Sequence, residues 1–115
     1  MDDLSPFLPL SPAALHILLA LSSDDRHGYG IMQEIARQSK GRYKPGPGTL
    51  YDNLQKLLDQ SLLEEVDRRQ SEDERRRYYR LTRFGRRVLA AEVERLEGVV
   101  RTAKSNLRLA TRKGI

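Results

Sequence analysis

Residues 83–112 contain no proline and only two glycines, Gly85 and Gly98, so nothing in their backbone chemistry interrupts a single long helix. Apolar side chains recur along this stretch at Leu89, Val93, Leu96, Val100, Ala103, Leu107 and Ala110, in alternating steps of 4 and 3. That is the 3.5-residue period of a heptad seam, the pattern by which one helix keeps the same face toward another. Two arrangements satisfy it: the seam meets a second copy of the chain, or one amphipathic helix lies on its own domain. At 115 residues the chain is a single domain near the small end of what one core stabilises, which makes burial between copies the natural expectation. The charges beside the seam change along its length. Glu92, Glu94, Arg95 and Glu97 mix signs, whereas Arg101, Lys104, Arg108, Arg112 and Lys113 are wholly basic. A parallel in-register pair would set those basic ends side by side, so an antiparallel or crossed pair is expected.

Ahead of this helix the chain is punctuated by prolines and glycines. Pro6 and Pro9 keep residues 1–10 from being helical throughout, leaving an arm that either frays or packs on a neighbour. Ser11-Pro12 reads as a helix start, with Ser11 as cap and Pro12 in the first turn. Leu15, Leu18 and Leu19, with Ile17, form its expected buried stripe. A polar turn over residues 22–28 precedes a second helix from about Tyr29, with Ile31, Met32, Ile35 and Ala36 on one side. Residues 40–46 break that helix, and Pro47 opens a third that runs to about Gln60. At 100° per residue Leu50, Leu54, Leu57 and Leu58 share one arc, and Thr49, Asp52 and Lys56 lie roughly opposite. Two strands follow, at about 63–69 and 75–82, joined by the turn 70–74. In the second, Tyr79 and Leu81 share one face while Tyr78 and Arg80 share the other.

Three helices, a basic two-stranded hairpin and a long last helix make a mainly α protein with a small β-hairpin wing. This is the layout of a winged helix-turn-helix, whose third helix enters the DNA major groove while the wing touches the backbone beside it. The expected division is an arm at 1–10, a DNA-binding domain at 11–82 and a dimerisation helix at 83–115. Charge agrees in sign. The net charge is +5, and the basic residues cluster at 37–44, at Arg68-Arg69 with Arg75-Arg76-Arg77, and at 80–87. Thr49, Lys56 and Asp52 are the expected groove-facing side chains, Asp52 either as an acceptor from a cytosine amino group or as a charge that repels wrong sequences. Asn53 sits between the arcs. Lys44 before the helix, and Arg75, Arg76 and Arg77 on the wing, are placed to meet phosphates.

Other chemistries find little support. There is no cysteine, which removes disulfides, thiolate metal sites and cysteine nucleophiles. His16 and His27 stand eleven residues apart without a ligand pattern around them, and both read as structural. Gly46-Pro47-Gly48 lacks the Gly-Lys-Ser/Thr of a phosphate loop, and no serine is set with a histidine and an acid as a nucleophile. No enzyme, cofactor or metal is therefore expected. No apolar run approaches the roughly 18–20 residues of a membrane span, and the acidic start is unlike a secretory signal, so a cytoplasmic protein is expected.

His27-Gly28-Tyr29-Gly30-Ile31, Gly48-Thr49-Leu50-Tyr51 with Leu54 and Leu57, and Tyr78-Tyr79-Arg80-Leu81-Thr82 with Gly85 resemble, in order and spacing, the PadR family of bacterial transcriptional regulators. The resemblance covers about residues 11–90. It implies a homodimeric repressor on a palindromic operator, held by Leu89, Val93, Leu96, Val100, Ala103 and Leu107 of the last helix. It implies that the Tyr51 hydroxyl donates to a phosphate. It also implies an apolar space between subunits that accepts a small hydrophobic or aromatic effector, for which Phe7 and Phe84 are the available aromatics. Two departures stand out: Ser61 occupies the place of a glycine after the third helix, and there is no tryptophan to form a stacking slab. The alternative function is a winged-helix interaction or architectural DNA-binding module without an effector.

Overall fold

The computed structural model describes residues 3–67 and 77–112, with side chains described as far as residue 108. Its helices are α1 (Pro12–Ser22), α2 (Gly28–Gln38), α3 (Pro47–Asp59) and α4 (Arg83–Arg112), and its strands are β1 (Arg26–His27), β2 (Leu63–Val66) and β3 (Tyr78–Leu81). The strands form one antiparallel sheet in the order β1-β3-β2. A mainly α winged helix-turn-helix with a long last helix is thus what the chain adopts.

The core forms around α1. Ser11 caps it, its hydroxyl accepting from the Ala14 amide at 3.1 Å, with Pro12 in the first turn. Ala13, Ala14, Ile17, Leu18, Ala20 and Leu21 are buried, whereas Leu15 and Leu19 are only half-buried. The stripe expected on Leu15, Leu18 and Leu19 is therefore broader and rotated. The reason is tertiary: α1 packs against α2, α3, α4 and β3 at once, so small alanines are buried wherever another element crosses close.

The turn expected over 22–28 holds a strand. Arg26 pairs with Tyr79 and His27 with Tyr78, which makes the sheet three-stranded. Two residues carry no readable period, and the pairing exists only because β3 brings its second edge there. The other strands are shorter than expected, with Leu63 opposite Leu81 and Val66 opposite Tyr78. The turn 70–74, with Arg68, Arg69, Arg75 and Arg76, lies outside the described residues. His27 then ends β1 and caps α2, its Nδ1 accepting from the Gly30 amide at 3.0 Å.

A single junction joins α3, the wing and α4. After α3 the chain turns through Ser61 at φ 62°, a left-handed backbone, and the Leu62 amide reaches back to the Leu57 carbonyl at 3.0 Å. The Thr82 hydroxyl donates to the Ser61 carbonyl at 2.7 Å and accepts from the Gly85 amide at 2.9 Å, so one side chain fixes the turn and caps α4. Gly85 lies so close to this turn that a Cβ there would stand 2.1 Å from the Leu62 carbonyl oxygen.

From that junction α4 extends about 45 Å at 1.5 Å per residue. Its first turns belong to the domain: Val88, Leu89 and Glu92 are buried. Leu89, expected at the start of the intermolecular seam, is thus part of the core of its own chain, because the heptad face begins while α4 still lies on α1. Further out the seam is open, with Val93 40%, Val100 48% and Leu107 68% exposed, Leu96 half-buried and Ala103 exposed. Ala110 lies beyond the described side chains. The described part of the arm, from residue 3, packs on its own chain. Residues Ser5–Phe7 form a short 3-10 turn, Phe7 meets Phe84 edge to face at 5.2 Å, and the Leu10 amide donates to the Glu92 carboxylate at 2.9 Å.

Two buried carboxylates anchor helices. Glu92 accepts from Leu10 and from Arg95, and the Arg95 guanidinium holds its pKa below the usual carboxylate range against the opposing effect of burial. Glu34 on α2 accepts from Arg37 at 2.8 and 2.6 Å and from Gln38 at 3.0 Å. Chiefly through Arg37, its pKa falls from 4.5 to about 2. A depressed folded pKa contributes stability that is present above about 4.5 and is lost as pH falls toward 2. Thermal melts between these limits are expected to show that loss in the parent protein and a smaller one in Glu34→Gln. Gly85→Ala should lower stability by about 1–3 kcal/mol or more in urea titrations, because the new methyl meets a backbone carbonyl rather than a movable side chain.

Candidate nucleic-acid interface

The face of α3 opposite its buried leucines is polar and open. Leu50, Leu54 and Leu57 seal the inner side, while Thr49, Asp52 and Lys56 are exposed. Among the described residues neither Asp52 nor Lys56 has a hydrogen-bond or ion-pair partner, so both are available to a base edge. Asn53 is differently placed. It is half-buried, and its amide donates to the Thr49 carbonyl at 2.8 Å, so its nitrogen is engaged within its own helix.

Tyr51 is 50% exposed, and its ring lies against Gly28 at the start of α2. A Cβ on Gly28 would fall 2.4 Å from the Tyr51 hydroxyl, so the glycine is what lets the ring lie there. The hydroxyl consequently stands beside the first turn of α2, where the positive end of a helix dipole favours an anion. Tyr29, 58% exposed in the same turn, was not among the residues singled out from sequence. Its position two residues past the α2 cap, His27, was the available signal, but its exposure depends on how α2 meets α3.

Between α2 and α3 the chain passes through Lys40 at φ 55° and Gly41 at φ 77°, and the Gly41 amide closes on the Ala36 carbonyl at 2.7 Å. This turn projects Lys40, Arg42 and Lys44 into solvent ahead of α3. On the wing, Arg77 pairs with Glu65 across the strands, and Arg80 pairs with Asp25 at 2.9 Å. Both arginines are largely exposed, and exposed pairs are worth about 0–1 kcal/mol, so a phosphate can replace the carboxylate at Arg77 with little loss. Arg80 is held more firmly, since Nε and Nη2 both reach Asp25, and its role is to tie β3 to the turn after α1. Arg75 and Arg76 lie outside the described residues.

The histidines have structural surroundings. His27 caps α2 and meets Tyr78 edge to face at 5.3 Å, and His16 lies 5.0 Å from the ring of Tyr43. Among the described residues no three His, Cys, Asp or Glu side chains gather as a metal site would require, and no helix is long and apolar enough to cross a membrane. The proposed effector aromatics, Phe7 and Phe84, stack on each other within one chain.

Comparison with known proteins agrees with this geometry. A transcriptional regulator of Mycobacterium tuberculosis, Rv3488, is 36% identical over 87 residues, covering 76% of this chain and 78% of that protein. The Escherichia coli transcriptional regulator YqjI is 45% identical over 49 residues, which are 43% of this chain and 24% of YqjI, so the match spans about a quarter of that relative's length. A PadR family transcription regulator from Clostridium difficile superposes with a TM-score of 0.69 at 26% identity, over 84% of this chain and 99% of its own. The model of the Transcriptional regulator PadR-like family matches residues 17–91, from the middle of α1 through the wing and into α4. The chain therefore belongs to the PadR-like family of transcriptional regulators.

Proposed function

We propose that this regulator is a repressor that binds a two-fold symmetric operator as a homodimer, reading bases with α3 and responding to a small effector. The carrying observation is the division of α3 into a sealed leucine face and an exposed polar face on which Lys56 and Asp52 have no partner among the described residues. Thr49 and Lys56 read bases, and Asp52 rejects wrong ones or accepts from cytosine. Tyr51, Lys44, Arg77 and, outside the described residues, Arg75 and Arg76 fix the register on phosphates. The exposed residues Val93, Val100 and Leu107 call for a second copy, since an apolar stripe of this length is seldom left to water. Glu94 and Glu97 precede Arg101, Lys104 and Arg108 along that helix, so a crossed or antiparallel pairing sets opposite charges together. The proposed DNA-binding role carries the assignment to the cytoplasm, and among the described residues no helix is long and apolar enough to cross a membrane.

Operator binding measured against random duplex at several salt concentrations tests the DNA reading. Lys56→Ala or Thr49→Ala should narrow the preference for operator, by about 1–3 kcal/mol for each lost base contact. Arg77→Ala should weaken all duplexes alike and make the salt slope shallower by about 1. A parent protein with no preference for any sequence would instead be an architectural binder. For the dimer, sedimentation of Leu96→Glu should give monomers at micromolar concentration, with operator affinity reduced by orders of magnitude because each monomer engages one half-site alone. An intact Leu96→Glu dimer would place the interface elsewhere.

A further inference from the structure

The major-groove edge of adenine is matched by the amide of Asn or Gln, which offers a donor to N7 and an acceptor to the N6 amino group together. A G·C pair instead sets the guanine N7 and O6 acceptors beside the cytosine N4 donor. On α3 both amide side chains are committed within the chain. Asn53 is half-buried and its nitrogen donates to the Thr49 carbonyl at 2.8 Å, while the Gln55 nitrogen donates to the Asp59 carboxylate at 2.9 Å. Neither amide is set to present N–H and C=O jointly to an adenine. The same bond occupies Asp59. Of the three charged residues of this helix, Asp52 and Lys56 remain. They stand at i and i+4, which places their Cβ atoms about 5–6 Å apart on one face, and both are exposed. An acid one turn ahead of a lysine is the order in which such pairs close most favourably. Here the pair is open, and neither side chain has a partner among the described residues. Leu50, Leu54 and Leu57 on the buried side fix the phase of the helix, so α3 presents one pure acceptor and one pure donor side by side.

We infer that Asp52 and Lys56 together read a single G·C pair, the Asp52 carboxylate accepting from the cytosine N4 amino group and the Lys56 ammonium donating to guanine O6 or N7. An acceptor and a donor in fixed order fit that edge in one direction only. Inverting the pair to C·G brings the guanine acceptors to Asp52, and an A·T pair puts the thymine O4 acceptor where the cytosine amino group stood. Either change leaves a carboxylate facing an acceptor, which repels. Lys56 thus attracts the right pair and Asp52 excludes the wrong ones. This inference rests on the base-reading role of α3 proposed above and narrows it to one kind of base pair and one orientation.

The test uses the full chain and begins with selection of bound duplexes from a randomised pool. Enriched sites should hold a G·C pair at which inversion, or replacement by A·T, weakens binding about tenfold or more. Asp52→Ala and Lys56→Ala should each bring that penalty down to about twofold at this same pair and leave the penalties at other positions unchanged. Both substitutions fall on exposed positions away from the leucine core. Asp52→Ala should also bind random duplex at least as tightly as the parent, because a carboxylate near phosphates repels them, and this separates lost discrimination from lost folding. A second measurement needs no change in the protein. N4-methylcytosine, whose methyl group blocks the amino hydrogen that faces the groove, should weaken the parent about tenfold at this pair and leave Asp52→Ala unaffected. Enriched sites without a fixed G·C pair, variants that relax two different base pairs, or a parent indifferent to N4-methylcytosine would overturn the inference. A Lys56→Ala protein weakened equally on every duplex would overturn it as well, by making Lys56 a phosphate contact. Those outcomes leave α3 free to read bases in another way. A pool in which no sequence is enriched refutes base reading by α3 altogether, and the G·C inference falls with it.

Discussion

The junction of Ser61, Leu62, Thr82 and Gly85 fixes the relation between the three parts of this molecule that must keep a set geometry. Ser61 ends α3, Leu62 leads into the wing, and Thr82 leaves the wing and caps the long helix. Their hydrogen bonds are short and satisfy backbone groups that the ends of α3 and α4 would otherwise leave open. Gly85 brings α4 within contact of the Leu62 carbonyl, a separation that no side chain permits. A left-handed serine carries a backbone strain of about 1–2 kcal/mol that glycine would avoid, and the Thr82 bond to its carbonyl helps hold it. In a dimeric regulator the spacing of two reading helices depends on the angle at which each leaves the shared helix. This junction sets the angle between α3 and α4 within the chain, the angle on which the proposed dimer's geometry would rest.

The same long helix serves two environments in succession. Val88, Leu89 and Glu92 face the domain, whereas Val93, Val100 and Leu107 face outward. One continuous heptad stripe thus passes from an intramolecular contact to one that a second copy would cover. The arm reinforces the changeover, since Phe7 and Leu10 fasten to Phe84 and Glu92 on the inner part. Burying Glu92 is tolerable because Arg95 and the Leu10 amide together satisfy its carboxylate. Glu34 is held in the same manner on α2, where Arg37, Gln38 and, at 3.7 Å, Arg26 surround it. Each carboxylate pairs within its own helix and also reaches a neighbouring element, Glu92 the arm through the Leu10 amide and Glu34 strand β1 through Arg26.

Much of the candidate interface was legible in the chain itself because helical phase is a local property. Once Pro47 and the leucines at 50, 54 and 57 locate α3, the exposure of Thr49, Asp52 and Lys56 follows from 100° per residue. Asn53 shows the limit of that reasoning. It lies between the two arcs, and only the folded chain shows its amide engaged by Thr49. Tyr29 escaped notice for a related reason, its exposure being set by the crossing of α2 and α3 rather than by its own helix.

The sequence by itself determined the helices, the Ser11 cap of the first, the second strand's alternation and the long last helix, since each rests on proline, glycine, a capping residue or a period carried within a few turns of chain. Only the tertiary structure decided what lies between distant segments. It made a strand of Arg26–His27, which pair with residues more than fifty positions away and have no period of their own. It turned α1 into a helix buried on several sides, because four elements meet there. It assigned Leu89 to the domain and left Val93 and the residues beyond it open, although one heptad register describes them all. Periodicity specifies which residues share a face, and only the packing of the whole chain specifies what that face meets.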